Sequence, residues 1–159
     1  MTRRFAEKTK VPISKSKAEI EELLRKNGAS GFVSGWDDES GEQRIMCRIN
    51  GRMLRFTVDA VNPNDPKFTH TESGRERNED LVASAIENEE RRRWRALLLI
   101  IKAKLEIIAS GLSTFQKEFL ADIVLPTGPT VEEWLGPQLE QAYETKAMPP
   151  LLPSVGGGK

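Results

Sequence analysis

The chain holds 159 residues, 38% hydrophobic and 30% charged, with 24 Lys and Arg balancing 24 Asp and Glu. That length suits one domain with its own core and leaves little room for a second. A formal net charge of zero removes global electrostatics as an argument for nucleic acid, and a single cysteine removes an internal disulfide or a cysteine-based zinc site. No apolar run approaches the roughly 20 residues needed to cross a bilayer. The N-terminus has charges without an apolar h-region, so a cytoplasmic location is expected.

Residues 1–17 carry Arg3, Arg4, Lys8, Lys10, Lys15 and Lys17 against Glu7, with Pro12 and no periodicity. They read as a flexible basic arm, assigned to 1–15. A helix then starts at Ser16 as N-cap with Glu19 completing a capping box, carries Ile20, Leu23 and Leu24 on one stripe, and ends at Asn27-Gly28. A strand over 32–36 places Phe32, Ser34 and Trp36 on one face, with Trp36 expected in the core rather than as a base-stacking residue, the other reading open to it. Segments 44–49 and 52–58 flank Asn50-Gly51, the preferred pair for a type I′ hairpin turn. That turn sets Ile49 against Arg52, Arg48 against Met53, Cys47 against Leu54, Met46 against Arg55, Ile45 against Phe56 and Arg44 against Thr57. Alternation puts Ile45, Cys47, Leu54, Phe56 and Val58 on a core face and Arg44, Arg48 and Arg55, with Met46 and Met53, on the other.

Residues 59–77 read as a loop rich in turn signals. A long helix follows from 78 to 110, closed by Gly111, its second half apolar nearly all round. At 1.5 Å per residue it would be roughly 50 Å long, more than a domain this size spans, so it either kinks or packs one end on another subunit. Two short helices follow. Ser113 with Gln116 starts the first, which buries Phe115, Phe119, Leu120 and Ile123. Thr130 with Glu133 starts the second, which turns Trp134, Leu135 and Leu139 inward and is kinked or divided by Pro137. The tail, 146–159, is rich in Pro and Gly. The expected fold is α+β: a three-stranded antiparallel meander with an N-terminal helix, one long helix and two short C-terminal helices, as a single domain over 16–145.

Catalytic constellations are sparse. His70 and Cys47 lie on separate elements, and neither a nucleophile–base pair nor a phosphate-cradling glycine loop is present. Asp37, Asp38, Glu39 and Glu42 are neighbours in one turn and read as a strand terminator rather than a cation site. No enzyme activity, metal or cofactor is therefore expected. In Arg91-Arg92-Arg93-Trp94-Arg95, Glu87 and Glu89 precede Arg91 and Arg93 by four residues, which suits helical ion pairs, and Trp94 falls on the apolar stripe. The hairpin arginines Arg44, Arg48 and Arg55 have no acidic partner in the register. Their guanidiniums suit phosphate contact and base stacking. With Arg3, Arg4, Lys8 and Lys10 as a tethering arm, they form the candidate nucleic-acid-binding set. The competing reading covers them with acidic residues of the long helix or a second subunit.

The segments Ile49-Asn50-Gly51-Arg52 with Arg55-Phe56, Arg92 to Leu98, Thr114-Phe115 with Glu118-Phe119-Leu120, and Met148 to Pro153 resemble a family of small uncharacterised bacteriophage and mobile-element proteins. The meander followed by a long helix is similar in topology to single-strand annealing proteins of the Rad52 and RecT kind. These resemblances imply a nonenzymatic DNA-associated accessory protein that binds or anneals single-stranded DNA, or serves recombination, as a homo-oligomer built through the long helix. The alternative is a protein-binding module that inhibits or recruits a host factor, as an anti-defence protein does. Neither reading needs a membrane.

Overall fold

In the computed structural model, which describes residues 5–6 and 9–148, Asn50 and Gly51 take φ of 50° and 70°. Two successive positive φ values define the type I′ turn, whose twist matches that of the strands it joins. Strands β2 (Gln43–Ile49) and β3 (Arg52–Val58) pair in the register that turn dictates, from Ile49 opposite Arg52 to Gln43 opposite Val58. Strand β1 (Phe32–Trp36) lies antiparallel on the far side of β2, giving the order β1-β2-β3. The outer edge of β3 is met by a later segment: Ile123 bridges Leu54, and the Val124 N–H donates to the Met53 carbonyl at 2.8 Å.

Helix α1 (Ile13–Lys26) and helix α3 (Glu79–Ala109) cover the inner face of the sheet. Ile45, Cys47, Leu54, Phe56 and Val58 meet Ile20 and Leu24 from α1 and Trp94, Leu98, Ile101 and Leu105 from α3. Phe119 in α4 (Phe115–Phe119) joins this core, its ring edge-on to Phe56 at 6.1 Å. A 3₁₀ turn (Leu120–Asp122) and helix α5 (Val131–Thr145) complete the chain, so the α+β architecture is as the sequence predicts.

Several local expectations are corrected. Helix α1 begins at Ile13 behind Pro12, not at Ser16, so residues 13–15 of the expected arm are helical. Ile13 packs against the core, and the apolar stripe continued through Ser16 and Ile20 extends the helix by a turn and overrides the capping box. Ser16 is fully buried with its hydroxyl unpartnered, while Glu19 turns instead to Arg95. Trp36 is not core. It is 71% exposed at the end of the sheet, and its indole N–H donates to Asp38 Oδ1 at 2.9 Å. The 59–77 loop contains a short helix α2 (Pro66–Thr69), capped by the Asp65 side chain, which buries Phe68.

Helix α3 runs unbroken from its Asn78 cap, and Gly111 follows its end at φ 76°. Helix α4 is capped by Thr114 rather than Ser113, whose hydroxyl donates to Glu118. Leu120 is exposed rather than buried. Helix α5 has the predicted capping box, but Trp134 and Leu139 are 37% and 43% exposed, and Pro137 does not divide it. Pro137 is itself exposed within the helix.

Candidate functional site

The outer face of the hairpin carries Arg44, Met46 and Arg48 from β2 and Met53 and Arg55 from β3, with Val33 of β1 opposite Met46. Alternation along the strands therefore places all three candidate arginines on one face, as expected. Their electrostatic surroundings differ from the expectation. Arg44 pairs with Glu42 at 2.7 Å, and that carboxylate raises its pKa. Residues two apart on an extended chain share a face, so this partner was available locally.

Arg55 is tied to Glu133 and donates to the Gly128 carbonyl at 3.2 Å. The bridge of Ile123 to Leu54 brings this segment alongside β3, and the N-terminus of α5 then presents Glu133. The same carboxylate accepts the Thr130 N–H at 2.7 Å, which with Arg55 holds its pKa below the usual range. Of the three, only the Arg48 side chain is exposed without a hydrogen-bond or ion-pair partner among the described residues, and Arg52 lies exposed at the same hairpin tip. Lys10 is exposed, while Arg3, Arg4 and Lys8 lie outside the described residues.

The basic run of α3 is internal scaffolding. Arg91 pairs with Glu87 at 2.6 Å, and Arg92 and Arg93 converge on Glu89 at 2.7 and 3.3 Å. Arg93 also donates to the carbonyls of Asp59 and Ala60 at 2.6 and 3.1 Å, fastening the end of β3 to α3. Arg95 reaches Glu19 at 2.7 Å and fastens α1. Trp94, between them, is fully buried beneath Lys17, whose ammonium lies 4.7 Å from the ring.

Chemistry-bearing groups are engaged locally. Burial pushes the Cys47 thiol up to about 11, which keeps it protonated. His70 is exposed, with Nδ1 2.8 Å from Thr69 Oγ1. Asp37 accepts the backbone N–H groups of Ser40 and Glu39, so it shapes the turn. Among the described residues no cluster of His, Cys, Asp and Glu could hold a metal ion.

The sequence reading missed how much apolar surface stays outside. Leu99, Ile100 and Ile107 of α3 and Trp134, Leu139 and Tyr143 of α5 are exposed. A groove of about 520 Å³ between the 3₁₀ turn and α5 is lined by Leu120, Ala121, Val131, Leu135 and Leu139. The available signal was the second half of α3: a helix apolar on every side can turn only part of its surface to a two-layer core. Among the described residues no helix is long and apolar enough to cross a membrane. Comparison with known protein families, curated proteins and solved structures finds no match to this chain.

Proposed function

We propose that this chain is a nonenzymatic protein-binding module. One contrast carries the reading: the guanidiniums that would meet phosphate are mostly engaged by carboxylates of the chain, while large apolar side chains stay open to solvent. The α5 groove supplies a docking site of the helix-in-groove kind. Leu120, Leu135 and Leu139 supply its apolar lining, and Glu132 and Glu140 from α5 with Lys117 and Glu118 from α4 supply polar groups. Such a module fits a phage or mobile-element protein that recruits or inhibits a host factor. The test is affinity capture from extract of the encoding cell, with and without nuclease, comparing the native chain with a Leu135→Asp, Leu139→Asp variant. One stoichiometric protein, retained after nuclease and lost with the variant, is the expected result. Capture abolished by nuclease would overturn the reading.

A second reading, a single-stranded DNA accessory in annealing or recombination, is favoured by one observation. Arg48 projects from an open sheet face between Met46 and Met53 without a carboxylate partner. The basic arm would extend that footprint.

A further inference from the structure

Strand β1 reads Phe-Val-Ser-Gly-Trp, without a charge or a proline. Sheets ordinarily guard a free edge with charges or prolines, or cover it, because its unpaired N–H and C=O groups accept any extended chain. Among the described residues no strand meets the outer side of β1. Two hydrogen bonds set the phase of its backbone. The Arg48 N–H donates to the Gly31 carbonyl at 3.4 Å, and the Asp37 N–H donates to the Glu42 carbonyl at 2.9 Å. The backbone groups of Val33 and Gly35, between them, therefore face β2, and those of Phe32, Ser34 and Trp36 face outward. On the outer face of the sheet, Gly31, Val33 and Gly35 stand opposite Arg48, Met46 and Arg44. Nothing lies within 4 Å of where a Cβ would stand on Gly31 or Gly35. Each glycine thus leaves an open lane from an arginine of β2 across β1. Arg44 already holds Glu42 at 2.7 Å, whereas the Arg48 side chain has no such partner. The two ends of the edge differ in charge, with Arg48 at the Gly31 end and Asp37, Asp38 and Glu39 beyond Trp36.

We infer that β1 takes an extended peptide of another protein as a fourth, antiparallel strand, with an acidic residue opposite Gly31 and an apolar residue opposite Val33. Antiparallel addition continues the pattern of the sheet and is the more stable pairing per residue. Backbone bonds to Phe32, Ser34 and Trp36 give affinity for any sequence, and the outer-face side chains give the choice among sequences. Two strand spacings, about 10 Å, separate β2 from the added strand. The Arg48 guanidinium and a glutamate of the peptide meet over Gly31 to span that distance. The apolar residue packs on Val33, which is 65% exposed beside Met46. Along the peptide, the apolar residue precedes the acid by two positions. A second copy does not suit this edge, since two antiparallel β1 strands would bring two arginine rows together on one face. The residues outside the described ones, 1–4, 7, 8 and 149–159, contain Glu7 as their one acid, and Phe5 just before it lines the groove between α1 and α3. Alternating donors and acceptors also match a peptide backbone rather than a phosphate chain, which only accepts.

Strand β1 lies across the sheet from the segment that leads into α5, so this inference and the groove reading can fail separately. The probe is a short threonine-rich peptide with valine two positions before glutamate, titrated into the full chain and followed by the anisotropy of an end label. Binding with a Kd below about 100 µM is expected, and about tenfold weaker binding when lysine replaces the glutamate. Arg48→Glu should reverse that preference. Ser34→Pro removes an outward N–H and no bond to β2, so it should abolish binding with thermal unfolding unchanged. Unlabelled peptide should blue-shift the tryptophan emission, and Trp36→Phe should remove the shift, because Trp36 is 71% exposed at the end of β1. The reversal by Arg48→Glu, at an exposed position, remains readable if Ser34→Pro fails to fold. No binding at about 1 mM, equal affinity for the glutamate and lysine peptides, or binding that survives Ser34→Pro would each overturn the inference. So would a native chain that dimerises without peptide and is monomeric as Ser34→Pro, which would give the edge to a second copy.

Discussion

Glu89 receives two guanidiniums, from Arg92 and Arg93, and the hydrogen bonds from Arg92 are the larger cause of a carboxyl pKa of about 2. A folded-state pKa below the ordinary 4.5 means that the ionised form stabilises the fold. That stability is present above pH 4.5 and is lost as pH falls from there toward about 2. Urea unfolding of Glu89→Gln should show a chain about 1 kcal/mol weaker at pH 7, allowing for solvent screening, with a flatter decline across that window. A native decline no steeper than the variant's would remove Glu89 from the list of stabilising pairs. At this scale alternation read the face of each hairpin arginine correctly. It could not supply Glu133, which lies 78 residues from Arg55 and reaches it only through the tertiary fold.

The elements themselves were legible where local chemistry and tertiary packing agree. Asn50-Gly51 fixed the hairpin, and Thr130 with Glu133 fixed the start of α5. Where they conflict, packing wins: Ser16 and Glu19 spell a cap, yet Ile13 draws the helix one turn further because its side chain reaches the core. Burial on the short C-terminal helices was over-read, because the pattern gives a helix an apolar face but not the element that would cover it. Thr130→Ala should lower stability by about 1 kcal/mol in urea, the usual value of an N-cap. It should raise the Glu133 pKa only slightly, followed by carboxyl NMR titration, since the Thr130 side-chain hydrogen bond is lost while the Thr130 N–H, the largest influence holding that pKa down, stays. An undiminished stability would show that the Thr130 hydroxyl does not cap α5 in solution.

For the whole molecule, balanced charge turns out to mean charge arranged in pairs. Arg44, Arg55, Arg91, Arg93 and Arg95 all have carboxylate partners within the chain, which leaves Arg48 as the one candidate hairpin arginine among the described residues whose side chain has none. Affinity for a single-stranded oligonucleotide should therefore be weak, with a logarithmic salt slope no steeper than about −2. A slope of about −4 or steeper, reduced by Arg48→Ala, would restore the DNA reading, since about six phosphate contacts would be needed to produce it. Fold class was legible at this scale because a meander and a long amphipathic run leave few ways to build a core. The exposed surfaces were not, because hydropathy reports how apolar a face is without reporting what stands in front of it.

The bridge from Ile123 to Leu54, with the Val124 hydrogen bond to Met53, gives the sheet a direction. Its β3 side is stoppered by the chain's own backbone, while among the described residues β1 has hydrogen-bonded neighbours only in β2. Any strand that lengthens this sheet, from a binding partner or from a misfolded neighbour, must begin at β1, beside the exposed Val33 and Trp36.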